Sequence, residues 1–277
     1  MKLTRFNTLP GDSPLSKLTT WAGSRTIYTQ VKHHGIYAAW RPGAGLFTRQ
    51  NKQWVLTRFP EAFQHHLSTT KLFLRGELTI PNENFQTACG ILSVNSLDRI
   101  NDVIFNVFDC CNTARPVSEQ PFSVRLWQLA DINQPFITSV ATHLHTPESA
   151  DRFFHETIAR GFEGVVYRID PAYENYPEQL PHPHMVKRKA LFSAEGICIG
   201  VEMGAGKRKN MLGAMMLRLP NGKFMKLGGG AGMTDELLKK LYDNPPLNSA
   251  VTFTYEELSA DGIPLRPQYV AIRNYEH

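Results

Sequence analysis

Cysteine is scarce, with only Cys89, Cys110, Cys111 and Cys198 in 277 residues. Cys110 and Cys111 are neighbours and no CxxC spacing occurs, so neither a disulfide framework nor a cysteine zinc site is indicated. Long apolar runs are missing too. No stretch approaches the roughly 20 uninterrupted apolar residues of a membrane span. The start, residues 1–7, breaks into polar residues at once and offers no apolar signal-peptide region. The expectation is a cytoplasmic protein with no membrane partner. Internal repeats and low-complexity tracts are absent as well. What the chain does have is a core: 42% of residues are apolar and 20% charged, which excludes the disordered and fibrous classes. Its length is about twice the common domain size, so one large domain or two unequal ones are expected.

Charge is unevenly spread. The net charge of +5 points to a polyanionic partner. From Val186 to Lys226 there are nine basic residues and two acidic ones, a local +7 that exceeds the net charge of the whole chain.

The first part reads as strands punctuated by turns: Thr26–Val31, Gly35–Trp40, Leu46–Thr48, Leu72–Leu74 leading into Gly76-Glu77-Leu78, and Val103–Phe108. The clearest helix runs over Glu148–Arg160, with Thr146 to cap it, Pro147 at its first position and Gly161 to end it. A strand over Val165–Ile169 follows. Pro171–His184, carrying Pro171, Pro177, Pro181 and Pro183, reads as a loop, and Met185–Lys189 follows it. The texture then changes to short strands over Ile197–Val201, Ala214–Leu219, Lys223–Leu227, Ala250–Tyr255 and Gln268–Ile272. Pro220-Asn221-Gly222 forms a hairpin between the second and third of these. A helix over Asp235–Tyr242, capped by Thr234, lies between the third and fourth. That order is the order of an OB-fold. The expected fold class is α+β, with a mixed domain over 1–190 and a small OB-fold β-barrel over 191–277.

Five short segments stand in sequence: Lys32-His33-His34-Gly35, Gly76-Glu77-Leu78, Phe105-Asn106-Val107-Phe108-Asp109, Glu163-Gly164-Val165-Val166 and Lys187-Arg188-Lys189. In this order, ahead of an OB-type region, they resemble the covalent nucleotidyltransferases, a superfamily of ATP-dependent DNA ligases, RNA ligases and capping enzymes. Leu212-Gly213-Ala214, Gly222-Lys223-Phe224, Gly232-Met233-Thr234, Asn244-Pro245-Pro246 and Gly262–Pro267 look like the small ATP-dependent DNA ligases of bacteria and viruses. The likeness covers nearly all the chain from about Trp21.

The resemblance implies an enzyme that moves AMP from ATP to a lysine, then to the 5′-phosphate of a nick in duplex DNA, and finally displaces AMP with the 3′-hydroxyl. Lys32 matches the nucleophile, within a nucleotide site that includes Gln30 and Val31. An amine must be deprotonated to attack; burial, neighbouring cations and a metal favour that form. Glu77 matches the carboxylate that binds the AMP ribose, and Phe108 the ring that stacks on adenine, with Phe105 as a substitute. Glu163 matches the carboxylate that holds a divalent cation, Mg2+ or Mn2+ in its place, with Glu77 as a second metal-site residue. Lys187 and Lys189 alternate on a strand and share a face for the α-phosphate, while Arg188 points away. Arg49 matches an arginine that contacts the nick phosphate. Lys207, Arg208 and Lys209, with Arg273, complete the DNA-binding set, and Arg273 also matches a residue that orients pyrophosphate. Such enzymes act as monomers.

The chain departs from the DNA ligase pattern KxDGxR: His34 stands for the acid and Tyr37 for the arginine. KxHG is usual in one RNA-ligase class, which implies tolerance of RNA strands. An RNA ligase, a capping-type nucleotidyltransferase and an inactive nucleic-acid-binding relative are the alternatives. The pairs His143-x-His145 and His182-x-His184 could each present two imidazoles, but read as solvated loop histidines and not as a zinc site.

Overall fold

In the computed structural model the residues described are 5–9, 15–83, 85–112, 120–130, 132–170, 181–228 and 233–273. Pro171, Pro177, Gly232, Asn274 and Tyr275 lie outside them. The chain divides into two compact units, Met1–Lys189 and Ala190–His277.

The strands of the first unit are β1 (Arg5–Leu9), β2 (Ile27–Lys32), β3 (Ile36–Arg41), β4 (Gly45–Phe47), β5 (Leu72–Thr79), β6 (Ile104–Asn112), β7 (Ile137–Ser139), β8 (Thr142–His145), β9 (Gly164–Ile169) and β10 (Pro181–Lys189). Its helices are α1 (Leu15–Ala22), α2 (Glu61–Thr69), α3 (Phe85–Ile91), α4 (Phe122–Leu129) and α5 (Pro147–Ala159). The strands form two five-stranded sheets, ordered β1-β10-β9-β2-β8 and β4-β3-β5-β6-β7. Pairing is antiparallel except between β1 and β10 and between β6 and β7.

Each sheet buries one face. Side chains alternate along a strand, so Val165, Tyr167 and Ile169 of β9 face α1 and α5, where they are buried with Leu18, Ala22, Ala150 and Phe154. The Tyr167 hydroxyl donates to the Ala150 carbonyl at 3.1 Å, which satisfies a polar group that burial would otherwise penalise. Thr146 caps α5 through a reciprocal box with Ser149, and Pro147 opens the helix, as its sequence requires. Trp40, Leu46, Trp54, Phe63, Leu74 and Phe105 belong to a second cluster on one face of the β3–β6 sheet. The opposite faces of both sheets carry the candidate site.

The second unit contains β11 (Phe192–Met203), β12 (Leu212–Arg218), β13 (Phe224–Gly228), α6 (Asp235–Asp243), β14 (Ala250–Tyr255), β15 (Glu257–Leu258), β16 (Pro264–Leu265) and β17 (Gln268–Arg273). Its main sheet runs β13-β12-β11-β14-β17. Cys198, Met215, Leu217, Leu227, Leu238, Val251 and Phe253 are in its core. Thr234 caps α6 by accepting from the Leu237 amide. Gly222, at φ +80°, turns the β12–β13 hairpin, a conformation glycine adopts without steric cost.

The OB-type sheet is open, since among the described residues no ladder joins β13 to β17. Three expectations about its elements and those of the first unit are corrected. β11 is much longer than Ile197–Val201 because its first half pairs with β14 and its second with β12. The Pro-rich loop ends sooner, since Pro181–His184 belong to β10, which lies between β1 and β9. His143 and His145 likewise sit on the edge strand β8 rather than in a loop. Their rings lie 5.0 and 5.1 Å from that of Phe153, and His145 Nδ1 is 3.0 Å from Ser149 Oγ.

Candidate active site

Lys32 is the last residue of β2, where the strand runs out into the turn His33-His34-Gly35. Register places Lys32 opposite Gly164 and Gly164 opposite Lys189, so one row across three strands carries a lysine at each end and glycine between them. A Cβ at residue 164 would collide with the Arg188 carbonyl oxygen, which explains glycine there by close strand approach. The neighbouring row is Gln30, Val166 and Lys187. Lys187 and Lys189 therefore share a face. Arg188 takes the other, buried at 3% exposure, 2.6 Å from Asp151 and over the Phe154 ring at 4.0 Å.

Glu163, immediately before β9, joins the two lysines. Its Oε2 lies 2.6 Å from Lys32 Nζ and its Oε1 2.6 Å from Lys189 Nζ. Burial alone would raise the Glu163 carboxyl, but the two ammonium groups outweigh it and hold it below the usual carboxylate range. Glu77 reaches the same lysine from β5 in the other sheet, 3.6 Å from Nζ. Its Oε2 accepts the Gly35 amide at 3.1 Å. Here burial prevails over the attraction of Lys32, and the Glu77 carboxyl is pushed up. Burial and the Lys32 charge together lower the neighbouring His33. A Cβ at Gly35 would meet the Leu78 carbonyl oxygen at 2.6 Å, so the turn needs glycine to lie against β5.

Two carboxylates converging on one spot, one held ionised, suit Mg2+, which takes one or two carboxylates and completes its shell with water and substrate phosphates. Among the described residues no cluster of three or more His, Cys, Asp or Glu side chains forms a closed metal cage.

Phe108 owes its position to a β-bulge. Arg75 pairs with Asp109 and Gly76 with Val107, which leaves Phe108 as the extra residue of β6. Bulges re-aim side chains in this way. Phe108 is half-buried, whereas Phe105 is 0% exposed in the core, so Phe105 is unavailable as the alternative stacking ring. Gln30, 1% exposed, donates from Nε2 to the Phe108 carbonyl at 3.2 Å and to Thr142 Oγ1 at 3.0 Å, which ties the two sheets together beside the ring. Val31 is half-buried in β2.

Behind Phe108 lies a buried charge cluster that no sequence motif marks. Asp109 is 4% exposed, with Arg125 at 2.7 Å and Arg168 at 3.3 Å. Burial would raise its carboxyl, but Arg125 and Arg168 overcome that and hold it low. The Arg168 guanidinium lies 5.6 Å from the Phe108 ring centroid and 4.3 Å from that of Phe122. Only the position of Asp109 directly after Phe108 hinted at this. Nothing in the sequence pairs residue 109 with 125 and 168.

Arg49, exposed after β4, stands over the Tyr37 ring at 5.5 Å. His34, in the place of the expected acid, stacks on Phe85 at 4.3 Å. The remaining basic residues sit in the second unit. Lys207, Arg208 and Lys209 are exposed on the short turn between β11 and β12. Gly204 has a local reason there, because a Cβ would meet the Arg208 carbonyl oxygen at 2.6 Å. Arg273 donates to Thr252 Oγ1 at 3.1 Å and lies 3.6 Å from Glu195.

A family model, the DNA ligase OB-like domain, matches residues 203–273. A probable DNA ligase of Streptomyces coelicolor is 30% identical over 146 residues, which is 50% of this chain and 28% of that protein. The chain thus spans less than a third of the length of this curated relative. A Lig E DNA ligase, solved in a study of DNA binding with a minimal scaffold, superposes with a TM-score of 0.76 at 23% identity over 99% of both chains. A mycobacterial DNA ligase D, complexed with ATP and MES, gives 0.52 at 16% identity, covering 99% of this chain and 96% of its own. The chain has the fold of these two DNA ligases, and residues 203–273 of its second unit match the DNA ligase OB-like domain. No helix among the described residues is long and apolar enough to cross a membrane.

Proposed function

We propose that this chain is an ATP-dependent DNA ligase that seals nicks between a 5′-phosphate and a 3′-hydroxyl through a lysyl-AMP intermediate. The observation that carries the reading is Lys32 Nζ, 2.6 Å from Glu163 and 3.6 Å from Glu77, in a chain with a DNA ligase OB-like domain. A half-buried amine among groups that can take its proton and cancel phosphate charge is suited to nucleophilic attack at phosphorus.

In the first step Lys32 Nζ forms a bond to the α-phosphorus of ATP as the bond to the β-phosphate oxygen breaks, and pyrophosphate leaves. The amine gives up its protons, for which Glu163 and Glu77 are the adjacent acceptors. Lys189 and Lys187, on the same sheet face, neutralise charge on the α-phosphate. Phe108 supplies the adenine platform, fixed by its bulge and by Arg168 behind it. Mg2+, bound with the nucleotide phosphates beside Glu163 and Glu77, would neutralise charge at phosphorus. In the second step an oxygen of the nick 5′-phosphate displaces Lys32 from the adenylyl phosphorus. In the third the 3′-hydroxyl oxygen attacks the nick phosphorus, a phosphodiester forms and AMP leaves. Arg49 holds the nick phosphate, and Lys207, Arg208, Lys209 and Arg273 engage the duplex.

Incubation with ATP and a divalent cation, followed by intact-mass measurement, tests the reading. The expected result is a gain of one AMP that is discharged on adding a nicked duplex, with appearance of sealed strand. No adduct with ATP, or an adduct formed with GTP in preference, would overturn it.

A further inference from the structure

Beyond Glu77 the open face of the β3–β6 sheet continues as arginines laid on aromatic rings. Tyr37, Ala39 and Arg41 alternate along β3 and share this face, where Ala39 is only 4% exposed, while Ala38 and Trp40 are buried in the core on the other. The Arg41 guanidinium lies 4.3 Å from the Phe47 ring centroid, just as Arg49 covers Tyr37 at 5.5 Å. Ala39 pairs with Phe47 in register and is one wall of a shallow depression whose lining includes Arg41, Thr48 and Arg49. Its lining contains no carboxylate among the described residues; the Glu77 carboxylate, which feels the Arg49 charge, lies outside it.

This arrangement fits a phosphate. A guanidinium stacked on a ring has already lost much of its freedom, yet keeps its N–H edge available, and that edge matches two phosphate oxygens. Two such groups around a small, mostly covered alanine, with a threonine hydroxyl between them in sequence, form a cationic seat at the mouth of the depression. We propose that Arg41 and Arg49 bracket a second phosphate seat over Ala39. It holds a backbone phosphate of the strand whose 5′-end is delivered to Lys32. The proposal rests on the ligase reading for the identity of that strand, and adds Arg41 as a positioning residue outside the lysine site.

The test is binding of a fluorescently labelled nicked duplex by anisotropy across a range of salt. It compares the full chain, Arg41→Ala, and Lys17→Ala as a control on the exposed face of α1. Arg41→Ala should bind roughly tenfold more weakly, the size expected for losing a hydrogen bond to a charged group. Its slope of log affinity against log salt should fall by about 0.9, one duplex phosphate contact. Lys17→Ala should change neither. An unchanged slope in Arg41→Ala overturns the proposal. So does an unchanged slope accompanied by a raised ATP requirement for lysyl-AMP formation, which would assign the seat to the nucleotide's own phosphates. Failure of the ligase reading is seen separately, as absence of the AMP adduct in the unmodified chain.

Discussion

The Nζ atoms of Lys32 and Lys189 lie 2.6 Å from different oxygens of one carboxylate, that of Glu163. Both lysines are mostly buried, and the shared anion is what makes two ammonium groups on one row tolerable. Glu163→Ala should therefore leave two like charges facing each other and remove the nearer of the two acceptors beside Lys32. Lysyl-AMP formation should fall by about 10²-fold or more, the size seen when one electrostatic group is lost from a site. Single-turnover labelling with ATP measures it.

Lys32→Ala should lose the ATP-dependent mass gain of one AMP altogether, while binding of a nicked duplex persists. Intact-mass measurement and anisotropy check the two halves. Retention of the adduct would falsify the assignment of the nucleophile.

Asp109→Asn should cost about 3–5 kcal/mol, because it leaves the buried Arg125 and Arg168 without their anion. The sign of the pH dependence follows from the depressed carboxyl of Asp109. Its stabilisation is fully present above the unfolded value near 3.9 and is lost as pH falls through the lower folded value. Urea unfolding of both proteins should show a constant gap from neutral pH down to the ordinary carboxylate range, closing only below it. A gap that closes already near pH 6 would contradict the depressed carboxyl.

His34 and Tyr37 set strand preference if the resemblance to KxHG carries over. Sealing of all-DNA nicks compared with nicks bearing ribonucleotides provides the ratio. His34→Asp with Tyr37→Arg should move that ratio toward DNA. The double change also removes the stack of His34 on Phe85 and the ring beneath Arg49, so adduct formation should be measured alongside. A ratio left untouched would show that these positions do not choose the strand.

Replacing Lys207, Arg208 and Lys209 together with alanine should reduce the salt slope of duplex binding by roughly two to three units, if each neutralises a phosphate. The loss of affinity should be greatest at low salt, where screening is weakest. Salt-titrated binding to a nicked duplex decides the matter, and an unchanged slope would make the turn a solvated charge run.

Sequence alone was enough for the elements whose signals are local. Thr146, Pro147 and Gly161 delimit α5 because capping, a preset φ and a helix stop act within a few residues. The alternation of Lys187, Arg188 and Lys189 put the lysines on one face because a strand has a period of two. The five spaced segments carried the nucleotidyltransferase resemblance by type and order. What the tertiary structure decided depends on contacts between residues far apart in the chain. Phe108 rather than Phe105 is the available ring because a bulge against β5 shifts the register there. Asp109 joins Arg125 and Arg168, and Glu163 serves Lys32 and Lys189, through pairings that no local propensity encodes. Pro181–His184 became strand because β1, from the opposite end of the unit, pairs with β10. Propensity describes a residue's neighbours along the chain; a charge is paired, and a ring aimed, by whatever the sheets bring beside it.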